Sequence, residues 1–230
     1  MTSLFYKNHK IFYIFSFLDI LNNTFSNEKI ALFFTKKLYN LIKLHTKTIK
    51  NTMNLKLRYV PDPILKQIST PVEKIDKELL SFMDKMLEAM YDKDGIGLAG
   101  IQVGFPKRII TLDLRDKNSD SDDEIKNRNP KFLINPEIVW CSENQTPLEE
   151  GCLSVPNQRA IVNRPQKIKV KYIDRKGEEK LLEADNLLSK CIQHEMDHLN
   201  GKLFIDYLSK LKRDSLVNKV KKMEKRGDLD

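Results

Sequence analysis

Glycine and proline are absent from the first 60 residues: all 8 Gly and all 9 Pro of this 230-residue chain come later. Cysteine is scarce and odd in number, three in all, so a full disulfide framework is excluded and a reduced compartment or a metal role is favoured. With so little glycine and a single Trp, the composition excludes collagen-like and Cys-rich secreted scaffolds, and coiled coils as well. No internal repeat or second apolar-rich domain is visible. The length suits one domain with room for an extra segment, large enough to bury a core unaided.

Acid is also nearly missing from the first 60 residues, which hold ten Lys/Arg against Asp19 and Glu28. The remaining 170 residues carry 30 charges of each sign, so the net +8 belongs entirely to the N-terminal stretch. A basic chain raises the prospect of a nucleic-acid partner, but here the rest of the chain has no excess positive field, and no specific nucleic acid is expected. Residues 11–21 (IFYIFSFLDIL) form an apolar run too short for the roughly 20 residues that span a bilayer. That run and the Asn/Lys/Thr-rich stretch after it fit a signal-like segment followed by a transit peptide, although Asp19 interrupts the run. Residues 1–53 are therefore expected to be a targeting presequence that is removed, and 54–230 the working domain. The alternatives are an ordered extension, or translation starting at Met53.

Within the domain, Leu79, Leu80, Met83, Leu87 and Met90 recur at helical spacing, with Asp76 placed to cap. The methionines read as core filling. Strands are expected at 108–114, 132–139 and 168–174. Residues 116–130 (DKNSDSDDEIKNRNP) have no apolar periodicity and read as a surface insertion. Residues 185–199 predict a helix with Leu187, Leu188, Cys191, Ile192 and Leu199 on one apolar face, stopped by Asn200-Gly201. A Lys/Glu-rich helix follows at about 206–225.

Chemistry concentrates in three segments. His194-Glu195-Met196-Asp197-His198 matches H-E-x-x-H; on a helix, residues i and i+4 share a face, so two imidazoles converge on one ion while the glutamate reaches a water beside it. Two exposed histidines in a polar stripe are the plain alternative, weakened by the apolar face of the same helix. A catalytic divalent site needs a third protein ligand. Cys152, in Glu150-Gly151-Cys152-Leu153-Ser154, offers one in a turn-like stretch, but spacing alone does not prefer it to Cys141 or Cys191. Gly95, Gly97 and Gly100 satisfy G-x-G-x-x-G, yet a helix precedes them where a dinucleotide loop needs a strand. They are better suited to letting a substrate backbone lie close, with Gln102 supplying an amide.

Taken together and in order, GIGLAGIQ, EGCLS and QHEMDHLNG resemble the three signature motifs of the peptide deformylase family, over roughly residues 54–230 including PDPILKQISTPV. The chain departs from the family's pattern at Gly100, where alanine is usual, and at Lys190, where relatives often carry an apolar residue near the substrate side-chain pocket. Its 116–130 insertion is also long beside bacterial relatives. The resemblance implies an α+β fold with antiparallel β-sheets surrounding a central metal-binding helix and a further helix at the C-terminal end. It implies hydrolysis of the N-formyl group from the formylmethionine of nascent peptides, near an organellar ribosome. It assigns Cys152, His194 and His198 as ligands of one divalent ion, Fe2+ in the cell, with Zn2+, Ni2+ or Co2+ able to occupy the site. Glu195 becomes the general acid/base, and Gln102 with the Leu153 N–H becomes the oxyanion hole. Ile96, Gly97, Glu150 and Cys191 become neighbours of the methionine pocket or substrate backbone.

Two other readings compete: a zinc endopeptidase built on H-E-x-x-H, and a binding module that keeps the fold without turnover. Asp197 is either a solvated acid or a partner of Arg164 that orients the helix. Formylated starts belong to bacterial-type translation, so a presequence on such an enzyme points to an organelle. A signal-like run with a basic tail resembles the address of a plastid bounded by extra membranes, such as an apicoplast, with the mitochondrion as alternative. The sequence does not set an oligomeric state.

Overall fold

The computed structural model describes residues 55–115 and 128–229. The expected presequence at 1–53 and residues 116–127 of the insertion lie outside the described residues. From Asn54 onward the chain forms one unit. Its centre is a five-stranded antiparallel sheet in the order β1-β2-β3-β6-β7: β1 Gly97–Ala99, β2 Ile109–Leu112, β3 Lys131–Cys141, β6 Lys167–Ile173 and β7 Glu179–Asp185. Two more strands, β4 Gln145–Cys152 and β5 Val155–Pro165, make a separate antiparallel pair. Three α-helices among the described residues, α1 Lys77–Asp92, α2 Asn186–Leu199 and α3 Lys210–Arg226, complete an α+β architecture.

Helix α1 begins where expected, because the Asp76 carboxylate accepts the Leu79 N–H at 3.0 Å and satisfies one of the four orphan donors of a helix start. Its buried face, including Met83, Met86 and Met90, packs on Leu98, Ile109 and Ile134. The three methionines are core residues. Helix α2 is the central element: every residue from Ser189 to Met196 is buried. Ile192, Met196 and Leu199 meet Ile110, Leu133 and Val170 across the main sheet. Its polar residues find internal partners, as Gln193 Nε2 donates to Pro165 O at 2.9 Å and Ser189 Oγ to the same carbonyl at 3.2 Å. Gly201 closes the helix at φ +70°, where a Cβ would come within 2.5 Å of Lys66 O, so the stop requires glycine. Helix α3 packs Val220 into a third cluster with Val155, Val162 and Phe204.

Several boundaries differ from the sequence reading. Leu187 is 42% exposed rather than on a buried face. The second of the C-terminal helices starts at Lys210, after a 3-10 turn at Phe204–Tyr207. Residues 150–152, read as turn-like, are the end of β4; the register shifts between Gly151 and Cys152, which bends the strand as it reaches α2. Strands β1, β4, β5 and β7 were not anticipated. Among the described residues, no helix is long and apolar enough to cross a membrane.

Candidate metal centre and substrate cavity

Helix α2 presents His194 and His198 one turn apart, and the bent end of β4 brings Cys152 to meet them. One ligand atom from each lies within 4.8 Å of the other two. Cys152 Sγ is 3.2 Å from His198 Nε2, and the two imidazoles meet edge to face with centroids 5.0 Å apart. His198 is fully buried and His194 is 8% exposed, which excludes the solvated-stripe alternative. The three cysteines are also told apart. Cys141 is exposed on β3, and Cys191 is buried with its thiol pushed well above the usual range by burial and then by Glu195, leaving Cys152 as the thiol among the imidazoles.

A buried polar network holds this group from behind. Arg164, on β5, grips Glu150 with two N–H donors, one of them at 3.0 Å, and gives a third to Asp197 at 2.8 Å. Glu150 Oε2 in turn lies 2.8 Å from His194 Nδ1. With Nδ1 committed to a carboxylate, the Nε2 of His194 is the nitrogen free to bind an ion. Burial works against charge on Glu150, but its bonds to His194 and Arg164 outweigh that and hold the carboxyl below its ordinary value. Burial likewise opposes charge on His194, yet its bonds to Cys152 and Glu150 raise it well above its ordinary value. His198 is driven well below the usual range by burial and then by His194, which keeps its imidazole in the neutral, ligating form. Two imidazoles and a thiol sulfur converging in this way are a donor set that suits a divalent cation.

Glu195 is 4% exposed beside these donors, and burial pushes its carboxyl up to about 7 against the pull of His194. Its Oε2 has no hydrogen-bond partner among the described residues. Gln102 is fixed through Oε1, which accepts the Ala99 N–H at 2.8 Å. That anchor directs Nε2 toward Ser154 Oγ at 3.1 Å and Cys152 Sγ at 3.6 Å. A cavity of about 710 Å³ opens over these groups. Ile96, Gly97, Gln102, Glu150, Cys152 and Leu153 line it, as do Cys191, His194 and Glu195, while His198 is fully buried. Glu150 reaches the cavity as expected, but its carboxylate serves His194 and Arg164. Asp197 is the partner of Arg164, and also accepts the Tyr207 O–H at 2.9 Å. Tyr59, Met223 and Leu229 join the wall from both ends of the domain, which no local motif announced.

The third donor being Cys152 leaves the endopeptidase reading without its further histidine or glutamate ligand. A family profile for polypeptide deformylase matches residues 54–214. Peptide deformylase of Phenylobacterium zucineum (strain HLK1) is 51% identical over 166 residues, covering 72% of this chain and 94% of that one. The crystal structure of the Ehrlichia chaffeensis enzyme in complex with actinonin has 42% identity and a TM-score of 0.69, covering 74% of this chain and 98% of that one. A solved Plasmodium falciparum peptide deformylase shares 34% identity at a TM-score of 0.64, covering 74% and 97%. With the Cys/His/His group and its cavity in place, this chain belongs to the polypeptide deformylase family, and its activity is the metal-dependent removal of the N-formyl group from nascent polypeptides.

Proposed function

We propose that Cys152, His194 and His198 hold a single divalent ion, Fe2+ in the cell, and that Glu195 and Gln102 carry the reaction beside it. The observation behind this reading is the convergence of the three ligand atoms within 4.8 Å beside a cavity lined by Cys152, His194, Glu195 and Gln102. Zn2+, Ni2+ and Co2+ suit the same donors. When bound, the ion supplies Lewis acidity, lowering the pKa of the water it holds from 15.7 to about 7. Glu195 takes the proton given up by the attacking water and passes it to the amine nitrogen, which leaves poorly unless protonated. Its unpartnered Oε2 and raised pKa suit both halves of that relay. Gln102 Nε2 and the Leu153 N–H donate to the formyl oxygen as it gains charge; losing one such donor typically costs about 2.7–4 kcal/mol. Neither donor carries a charge of its own. Ile96, Gly97 and Cys191 surround the methionyl residue, and Glu150 keeps His194 in its ligating orientation.

The relatives named above fix the enzyme and leave its address to the first 53 residues, which lie ahead of the matched segment. Their eight lysines against two acids and their apolar run support a cleaved presequence for a plastid bounded by extra membranes, such as an apicoplast, with the mitochondrion as second choice. Substrate chemistry then puts the enzyme near the organellar ribosome. Residues 1–60 fused to a fluorescent protein test the address; a cytosolic fusion removes it. Anaerobic purification with metal analysis tests the ion, and Fe2+ is expected to accompany activity that air abolishes. Undiminished activity after prolonged exposure to air, with iron still bound, would contradict the assignment.

A further inference from the structure

Lys190 retains 7% of its surface exposure, although lysine is almost never buried unless its charge is paired. It belongs to the stripe Leu187, Lys190, Cys191 and His194, spaced i, i+3, i+4 and i+7 on α2, and all four line the cavity. Lys190 therefore stands about one helical turn, ~5.4 Å, along the wall from the ligand His194. Its Nζ donates to Pro147 O at 3.0 Å, its one hydrogen-bond acceptor among the described residues. An ammonium has three donors and no acceptor, so two N–H groups have no acceptor among the described residues, in a cavity whose lining includes Leu148, Leu187 and Cys191 beside Glu149 and Glu150. The four-methylene stem meanwhile gives that wall an apolar surface.

We propose that Lys190 makes this pocket receptive to an N-formylated first residue whose side chain ends in a strong hydrogen-bond acceptor at the reach of methionine, N-formylmethionine sulfoxide above all. The inference rests on the reading that the cavity takes the formylmethionyl end of the substrate. A thioether accepts hydrogen bonds weakly and lies against the lysine stem. Its oxidised form carries a polar S=O that an all-apolar pocket would desolvate without compensation. The spare N–H groups of Lys190 compensate it, so one pocket accommodates both forms of the residue.

The test compares kcat/KM for formate release from two peptides that differ only in formylmethionine or its sulfoxide, using the full-length, metal-loaded protein. The sulfoxide-to-thioether ratio is expected to fall roughly tenfold or more in Lys190→Met and Lys190→Ile, the loss typical of a charge-assisted hydrogen bond, and to be held better by Lys190→Arg. The same ordering is expected for the affinities of the two deformylated product peptides by calorimetry, a readout independent of turnover. Ratios in both apolar variants within about threefold of wild type, too small a change for such a bond, would overturn the proposal. Absence of formate from the unoxidised peptide with the wild type would overturn the underlying assignment of the cavity, and the proposal with it.

Discussion

Glu150 Oε2 and His194 Nδ1 lie 2.8 Å apart in the buried interior, and the same carboxylate is clamped by Arg164. This pair ties the His194/His198 face of α2 to strand β4. Glu150→Ala is expected to lower metal affinity about 10- to 100-fold by releasing His194. It should also cost about 3 kcal/mol or more of stability by leaving Arg164 short of its principal partner. Metal content after dialysis and thermal unfolding measure the two effects; a variant that keeps the wild-type metal content would contradict the role given to Glu150.

Gly97 faces Glu195 with no room to spare. A Cβ built there would lie 2.5 Å from Glu195 Oε1 and 3.0 Å from Cys191 Sγ. Gly97→Ala must therefore displace the carboxylate, and misplacement of about 1 Å typically costs about 10²-fold in rate. The expected outcome is a large fall in kcat with the metal retained, and wild-type turnover would show that Glu195 tolerates the shift.

Tyr91 on α1 donates its O–H to Asp113, a 1%-exposed carboxylate that also accepts the N–H groups of Arg115 and Asn129. Burial first, and then the bond to Asp113, raises the phenol above its ordinary value of 10.0. A folded pKa above the unfolded one means that this stabilisation is complete below about pH 10 and is lost as pH climbs through the folded value. Tyr91→Phe should cost about 1.5–3 kcal/mol near neutrality, the usual worth of a hydrogen bond to a charged group. The difference in unfolding temperature from wild type should then narrow above pH 10. A constant gap through that range would contradict the assignment.

Local signals were legible in the sequence because short-range geometry governs them. Helix spacing placed His194 and His198 on one side of α2, and Asp76 capped α1 as its side-chain chemistry requires. Alternating or apolar runs located β2, β3 and β6 to within one or two residues at each end. The β4-β5 pair was not legible, because its polar, half-exposed strands are specified by pairing across a tight turn rather than by an apolar run. Choosing Cys152 among three thiols likewise required knowing which strand end bends onto α2. The link from Arg164 through Glu150 to His194 spans three elements with no shared motif, and Leu187 was misplaced because its helical position faces an open cavity rather than the core.

In the proposed reaction Glu195 moves the proton in a formamide hydrolysis at the Cys152/His194/His198 site. The most direct measurement is formate release from a formyl-methionyl peptide by wild type and Glu195→Gln, prepared anaerobically at matched metal content. Rapid release by wild type is expected, with a fall of about 10²–10⁴-fold in the variant, the range for loss of a general acid/base, and the ion still bound. Equal rates in the two proteins, or no formate from either while both hold metal, would contradict it.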